Sequence, residues 1–365
     1  IPDHRPWTTS TIRLVTHPPP GGATISSYWL PSRALLDIMR PCATSGPLAL
    51  TLASAWGEVV MRTGKSAITR IGATFLILQF LLVSSAPDAS ASGGAWETVV
   101  QPSYPFEAVD FVDASNGWVV GGGGTVLRTS KGGITWVAQT SGTDAHIYGI
   151  DMVTINSGWA VGADGVILHT SDGGSTWTEQ SSGVTDDLFD VAAVDGTSAW
   201  SVGRGGTILF TSDGGATWNT QPSGSTVKLE AVSAADSSHA WAVGRFDVLR
   251  TTDGGATWAP SPATPGGVLR DGSFDSSSLG WVVGTSGIAR TLDVGDTWDV
   301  VGSSAGDRAI YFADTTNGWA VGRNGGFVST TDGGVTWNTG STGSSVNLIG
   351  IAFADLNKGW AVGED

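Results

Sequence analysis

Two aspartates stand at equivalent positions where the other repeats of the chain carry alanine or glycine. Asp190 and Asp271 each lie ten residues before the tryptophan of a recurring phrase. Two carboxylates that flank a cleft are the machinery of glycoside hydrolysis. Position in a repeat is weak evidence for a catalytic role, so we interpret the pair as the lining of a hydrated channel, with a glycosidase active site as the alternative. No catalytic residue is predicted.

A second set of aspartates recurs in the phrase Thr-x-Asp-Gly-Gly-x-Thr-Trp, the Asp-box. Its carboxylate can accept backbone N–H groups a few residues ahead, and its glycines adopt positive φ at little cost. Calcium needs several carboxylates in one loop, whereas each box supplies one, and Lys131 replaces it in the first box. We therefore predict a structural role, with no metal and no cofactor. The predicted structural residues are Asp172, Asp213, Asp253, Asp293, Asp332, Trp136, Trp177, Trp218, Trp258, Trp298 and Trp337.

The Asp-boxes alternate with a second phrase, (Gly/Ala)-Trp-x-Val-Gly, which we call the Gly-Trp phrase. It occurs seven times, at spacings of 38 to 41 residues, and such a period indicates a repeat architecture. Each period contains four short strand-like runs separated by Gly, Ser, Asn and Asp. The sequence predicts an all-β fold, a seven-bladed β-propeller over residues 95–365. Because the last repeat reaches Asp365 before a third strand, we expect that blade to be truncated at the C-terminus.

The first ninety residues have a different character. Residues 1–60 are proline-rich and lack periodicity, so we assign them no fold and interpret them as an upstream or disordered extension. Residues 61–91 combine basic residues after Met61, an apolar run and a small-x-small cleavage pattern ending at Ala91, which predicts a secretory signal peptide. The apolar run is short for a membrane span. We expect a secreted, periplasmic or lumenal protein with no stable membrane anchor after cleavage.

The charge of the chain excludes some classes of partner. The 365 residues carry a net charge of −15, and the part after residue 91 holds 11 Lys and Arg against 29 Asp and Glu. Phosphate contacts dominate nucleic-acid binding, so such an acidic protein is a poor candidate for it. Its self-repulsion favours a soluble monomer.

Arginines concentrate on one predicted face of the propeller. In an up-and-down propeller, the turns between second and third strands share a face with the blade-to-blade connections. Arginine forks pair with carboxylates and are enriched at interface hot spots, so we predict a protein-binding role, with solvated, locally balanced arginines as the alternative. The predicted partner-binding residues are Arg204, Arg245, Arg270, Arg308 and Arg323. The other half of the same face carries the acidic residues Glu107, Asp144, Asp164 and Glu364.

The two phrases together resemble a known family. The run Gly-x-Ile-Leu-x-Thr-x-Asp-Gly-Gly-x-Thr-Trp at residues 165–177, with Gly-Trp-Ala-Val-Gly before it, is similar to the photosystem II assembly and stability factors. These are exported propellers of the wider BNR or Asp-box class, and the resemblance covers residues 95–365. It implies a non-enzymatic scaffold or assembly factor that binds protein, with photosystem II subunits as partners if the source is photosynthetic. Because sialidases and related proteins also use Asp-boxes, a carbohydrate-binding or glycoside-hydrolysing propeller is the alternative.

Overall fold

The structure is a computed structural model that describes residues 10–16, 49–51, 60–62, 95–100, 105–274 and 278–364. The chain divides into two units, one of residues 1–22 and 90–365 and the other of residues 23–89. The predicted signal sequence lies outside the described residues from residue 63 onward. Four strands come from the first hundred residues: β1 (Ser10–Thr16), β2 (Ala49–Thr51), β3 (Val60–Arg62) and β4 (Ala95–Val100). In the second unit, β2 and β3 pair antiparallel.

Six four-stranded antiparallel blades follow, each formed by one consecutive stretch of chain with its strands in sequence order. Blades one and two contain β5 (Phe106–Phe111), β6 (Gly117–Gly121), β7 (Thr125–Thr129), β8 (Val137–Gln139), β9 (Ile147–Met152), β10 (Gly158–Gly162), β11 (Ile167–Thr170) and β12 (Thr178–Gln180). Blades three and four contain β13 (Leu188–Ala193), β14 (Ala199–Gly203), β15 (Ile208–Thr211), β16 (Asn219–Thr220), β17 (Leu229–Ala234), β18 (Ala240–Gly244), β19 (Val248–Thr251) and β20 (Ala259–Pro260). Blades five and six contain β21 (Leu269–Phe274), β22 (Gly280–Gly284), β23 (Gly287–Thr291), β24 (Asp299–Gly302), β25 (Ala309–Phe312), β26 (Gly318–Val321), β27 (Gly326–Thr330) and β28 (Asn338–Ser341).

A further four-stranded sheet is assembled from both ends of the chain. Its last two strands in the sequence are β29 (Asn347–Asp355) and β30 (Lys358–Glu364), and the order across the sheet is β29–β30–β1–β4. Strand β1 pairs antiparallel with β30 along its whole length and with β4 on its other side. Strand β29 contacts β25 of blade six and β5 of blade one. This composite sheet therefore closes the ring of first strands.

The fold confirms the predicted all-β propeller, but the predicted count of seven blades is wrong, because six blades are complete. The Gly-Trp phrase counts second strands, and its seventh copy lies in β30 of the composite sheet. The third position of that sheet, which the sequence leaves empty after the last Gly-Trp phrase, is occupied by β1. Residues 1–60 carry neither repeat phrase, so their sequence gives no sign of this strand.

The turns of the blades sort onto two faces. Turns between second and third strands lie beside the connections that enter each blade, as the 2.8 Å hydrogen bond from Ala163 N–H to the His146 carbonyl shows. We call this side the turn face. The Asp-boxes lie beside the turns between first and second strands, where Gly173 N–H donates to the Asn156 carbonyl at 2.8 Å. We call this side the box face. Short 3-10 segments occur at Ala163–Gly165, Arg204–Gly206, Ser304–Gly306 and Arg323–Gly325.

The hydrophobic core lies between neighbouring blades rather than inside any one of them. In one cluster, Trp118 and Val120 of blade one pack against Ile147 and Ile150 of blade two. Burying one indole removes roughly 150–250 Å² from water, on the order of 4–6 kcal/mol at the usual area coefficient. The Gly-Trp phrase therefore supplies the apolar adhesion between blades. Its fully buried tryptophans are Trp118, Trp159, Trp200, Trp241, Trp281 and Trp360.

Candidate functional site

The two predicted channel aspartates connect neighbouring blades through the backbone. The Asp190 carboxylate on β13 accepts N–H groups from the next residue at 2.9 Å and from Val232 of blade four at 2.8 Å. Asp271 on β21 repeats this arrangement, accepting from the next residue at 2.7 Å and from Ile310 of blade six at 2.9 Å. Both oxygens of each carboxylate are thus engaged. The geometry suits a clip between blades better than a nucleophile and acid facing a glycosidic bond.

Two further inner-strand aspartates with the same role were not predicted from the sequence. Asp110 on β5 accepts the Met152 N–H at 2.8 Å, and Asp151 on β9 accepts the Ala193 N–H at 2.7 Å, each across a blade boundary. They lie eight residues before the tryptophan of the Gly-Trp phrase, two positions beyond the register of Asp190 and Asp271. In the sequence, these aspartates are recognisable as polar residues on an otherwise apolar inner strand. They become apparent only when the positions eight and ten residues before the tryptophan are both compared across the repeats.

The four inner-strand carboxylates hold their protons more tightly than ordinary aspartates. Burial is the largest cause in each case and raises the pKa of Asp271 to about 7. Burial also raises the pKa of Asp190 well above its usual value, with the neighbouring Asp271 and Asp151 charges adding to the effect. The pKa values of Asp110 and Asp151 are raised for the same reason. With pKa values of about 7, about 6 and about 7, Asp110, Asp151 and Asp271 therefore change charge between weakly acidic and neutral pH, in the order Asp151 before the other two.

Each Asp-box is a turn whose polar groups satisfy one another. The Asp172 carboxylate accepts the Thr176 N–H and the Thr176 hydroxyl, both at 2.8 Å, and the Thr170 hydroxyl at 3.0 Å. The Thr170 hydroxyl oxygen in turn accepts the Gly174 N–H at 2.7 Å. Hydrogen bonds from Thr176 lower the pKa of Asp172. The same pattern is found at Asp213, Asp253, Asp293 and Asp332.

The boxes also connect neighbouring blades. The carbonyl of Gly173 in the second box accepts the Trp118 indole N–H at 3.3 Å from blade one. In the fifth box Val294 replaces the equivalent glycine, adopts a φ of +67°, and its carbonyl accepts the Trp241 indole at 3.3 Å. Trp177, Trp218 and Trp258 of the boxes are buried, and Trp136, Trp298 and Trp337 are half-buried. Among the described residues, no group of acidic, histidine or cysteine side chains is placed to hold a metal ion.

The five predicted arginines lie on or next to the turn face, but they differ in their partners. The exposed Arg204 pairs with Asp187, and Arg323 lies 3.3 Å from the buried Asp307 carboxylate. Arg308 stands half-buried immediately before β25. Two of the five charges are therefore neutralised locally.

Arg245 and Arg270 make no ion pair within the described part of the chain, and they are close in the fold. The exposed Arg245 forms an isolated backbone bridge with Val268, two residues before Arg270. The guanidinium of Arg245 lies 5.5 Å from the ring centre of Phe246. The Nε of Arg270 is buried and has no hydrogen-bond partner among the described residues. This pair between blades four and five is positive charge on the turn face that no carboxylate of the described residues neutralises.

The other half of the turn face is acidic and aromatic. Glu107 contacts His146 at 2.7 Å, and His146 stacks on Tyr148 with a centroid distance of 4.7 Å. Asp144 and Asp164 are exposed, whereas the side chain of Glu364 lies outside the described residues. The face is thus electrically divided, with carboxylates around blades one and two and free arginines around blades four and five.

Known proteins share the fold, and one family model matches the repeats. Residues 89–182 and 179–267 match the family model described as photosynthesis system II assembly factor YCF48. A solved structure of YCF48 bound to D1 peptide is 23% identical over 72% of this chain and 91% of that chain, with a TM-score of 0.60. YCF48 from Cyanidioschyzon merolae is 22% identical over 72% and 94%, also with a TM-score of 0.60. The WD40 propeller domain of Doa1 is 10% identical over 72% and 93%, with a TM-score of 0.57.

No curated protein matches the chain at a significant level. The described residues include no helix with the length and apolarity to cross a membrane. The family match covers the first blades with their Gly-Trp phrases and Asp-boxes, and the solved YCF48 structures share the propeller. The chain belongs to the photosystem II assembly factor-like propeller family, within the BNR or Asp-box repeat class.

Proposed function

We propose that this chain is a non-enzymatic protein-binding scaffold that holds its partner on the turn face. The observation that carries the proposal is the pair of unneutralised arginines, Arg245 and Arg270, in a chain of net charge −15. In an acidic protein, exposed positive charge attracts carboxylate-bearing partners to one sector, and the negative charge of the remaining surface repels them. Family membership and the D1 peptide held by the similar YCF48 point to photosystem II subunits as the partner class.

Export belongs to the same proposal. Residues 61–91 have the three parts of a secretory signal, so we place the propeller in a periplasm, a lumen or the medium. In these compartments an Asp-box turn can be stable without a disulfide or a metal, because the polar groups of each turn form hydrogen bonds with one another. Fusion of residues 61–91 to a reporter enzyme tests export directly. Retention of the reporter in the cytoplasm contradicts this part of the proposal.

A glycosidase function has little support in the geometry. Asp190 and Asp271 direct both carboxylate oxygens at backbone N–H groups of their own and neighbouring blades. A general acid and a nucleophile instead need oxygens free to meet the scissile bond and water. We expect no hydrolysis of aryl glycosides by the purified chain. Turnover that disappears in Asp190→Asn overturns the non-enzymatic assignment.

The decisive test compares two single-charge reversals on opposite faces. Arg245→Glu changes an unpaired arginine on the turn face, and Lys131→Glu makes a similar reversal at an exposed box-face position. We expect Arg245→Glu to weaken binding of a D1 peptide by about tenfold or more, measured by biolayer interferometry, because loss of one charged contact is worth at least about 1.4 kcal/mol. Lys131→Glu should bind as the wild type does.

Arg204→Glu provides a graded comparison. Its side chain already pairs with Asp187, so it has less charge to offer a partner than Arg245. We expect a smaller effect from this substitution than from Arg245→Glu. Equal binding by Arg245→Glu, Lys131→Glu and the wild type contradicts a turn-face interface.

A further inference from the structure

Phe246 adopts a backbone conformation that bulky residues avoid. Its φ is +71°, in the left-handed region, and its side chain is 52% exposed. The second residue of the equivalent turn in other blades also has positive φ, but it is a residue type that enters this region readily. These counterparts are Gly123, Asp164, Gly205 and Asn324. Phenylalanine at this position is therefore a departure that costs stability.

Packing does not repay that cost. Within the described residues, Phe246 makes no ring contact with another aromatic side chain, and half of its surface faces solvent. The turn of blade four is also one residue shorter than its counterpart after Gly203. Strain that the fold does not need is typical of positions retained for binding or catalysis.

The surroundings of Phe246 define what it can bind. The Arg245 guanidinium lies 5.5 Å from the ring centre, and Arg270 follows two residues after the backbone partner of Arg245. An exposed aromatic ring beside Arg245 offers an apolar contact and a carboxylate contact within one small area. Arg270 provides a second cation without an ion pair among the described residues, on the chain segment that pairs with Arg245. Aromatic residues and arginine are the side chains most often enriched at the centres of protein interfaces.

We propose that Phe246, with Arg245 beside its ring and Arg270 on the paired chain segment, is the anchor of a peptide-binding site for an extended segment with an apolar side chain between two carboxylates. The inference rests on the proposed scaffold function and specifies its site and its ligand class. In an extended strand, side chains two residues apart project to the same side about 7 Å apart. The Arg245 guanidinium lies 5.5 Å from the Phe246 ring centre, so a carboxylate two residues from an apolar side chain can reach it. Arg270 is the cation for a carboxylate on the other side of the apolar residue. The ligand pattern is therefore acidic-x-apolar-x-acidic.

A labelled nonapeptide, Gly-Ser-Asp-Thr-Phe-Thr-Asp-Ser-Gly, is the probe, and fluorescence anisotropy with the full chain is the measurement. Two control peptides carry either asparagine in place of both aspartates or serine in place of phenylalanine. We expect saturable binding of the probe and a loss of about tenfold or more with each control peptide. Equal affinity for all three peptides overturns the proposed ligand pattern.

Phe246→Asn separates binding from folding. Asparagine tolerates the left-handed conformation, so the variant should melt at least about 2 °C above the wild type while binding the probe about tenfold more weakly. If Phe246 instead stabilises the fold, the melting temperature falls. Phe246→Leu keeps an apolar side chain and most of the strain, and we expect it to melt near the wild type and to retain part of the binding. A stabilised Phe246→Asn variant with unchanged probe binding overturns the anchor role.

The outcome also distinguishes this inference from the scaffold function. If D1 peptide binding is lost in Arg245→Glu but unchanged in Phe246→Asn, the turn face binds protein without the anchor proposed here. If neither substitution changes D1 binding, the turn-face interface itself is wrong. Loss of binding in both, with a higher melting temperature in Phe246→Asn alone, supports the inference.

Discussion

Asp271 gives the sharpest test of how the blades are joined. Its carboxylate on β21 accepts backbone N–H groups of Gly272 and Ile310, so it ties blade five to blade six. Burial raises its pKa to about 7 in the folded protein. The pKa of an aspartate in an unfolded chain is about 3.9. The folded state therefore binds more protons than the unfolded state between about pH 4 and pH 7.

The sign and size of the effect follow from this difference. Where the folded state binds more protons, the free energy of unfolding falls as pH rises. The separation between about 4 and about 7 corresponds to a loss on the order of 4 kcal/mol from this one group across the window. The stabilising contribution is complete below about pH 4, because there Asp271 becomes protonated in the unfolded state as well as in the folded state.

Asp271→Asn removes the ionisable group and one of the two hydrogen bonds that the carboxylate accepts. The amide oxygen accepts one of the two N–H groups, and the amide NH₂ faces the other, so the variant should be less stable than the wild type by about 1–3 kcal/mol at pH 4. Near pH 8 that deficit should close or reverse, because only the wild type carries a buried charge at position 271. Denaturant titrations followed by tryptophan fluorescence at pH 4 to pH 8 measure both quantities.

Asp299→Asn on β24 serves as the matched control, because Asp299 is exposed and lies in the same blade. Its stability should follow the wild-type dependence on pH. If the curves of wild type and Asp271→Asn run parallel from pH 4 to pH 8, Asp271 does not titrate in this window and the reasoning fails.

Two further expectations concern the Asp-boxes. Asp213→Ala should lower the melting temperature at pH 7 and should do so less at about pH 2, because hydrogen bonds from Thr217 depress the pKa of Asp213 and their stabilisation is lost on acidification; equal losses at both pH values would argue against the bonded carboxylate. Millimolar calcium or a chelator should leave the melting temperature unchanged, since the box carboxylates already accept hydrogen bonds from threonine, and a calcium-dependent increase would reveal a metal site.

The repeat is what made the fold readable from the sequence. A fixed period with two phrases places every second strand and every Asp-box, and the Gly-Trp phrase before residue 165 coincides with the whole of β10, Gly158–Gly162. The composite sheet was not readable, because β1 pairs with β30 from the opposite end of the chain and carries no repeat phrase. Pairing between distant segments leaves no local pattern.

The candidate site was only partly readable for a similar reason. Sequence identifies which residues are arginines, but not that Arg204 and Arg323 have carboxylate partners while Arg245 and Arg270 have none among the described residues. Ion pairing depends on side chains brought together by the turns, and a sequence gives neither their distance nor their burial. The exposure of Phe246 and the distance of its ring from Arg245 are likewise visible only in three dimensions.

In this molecule the repeated positions have structural roles, and recognition falls to positions that differ between blades. Blades one to six are joined mainly by two recurrent links: buried tryptophans with box carbonyls towards the outside, and carboxylate clips on the inner strands. A position that recurs in every blade meets the same surroundings each time, so it can carry adhesion but cannot mark one sector of the ring. Only a departure from the repeat gives a partner one place to dock. Phe246 beside Arg245 is such a departure, and the backbone strain at Phe246 lowers the stability of the folded protein.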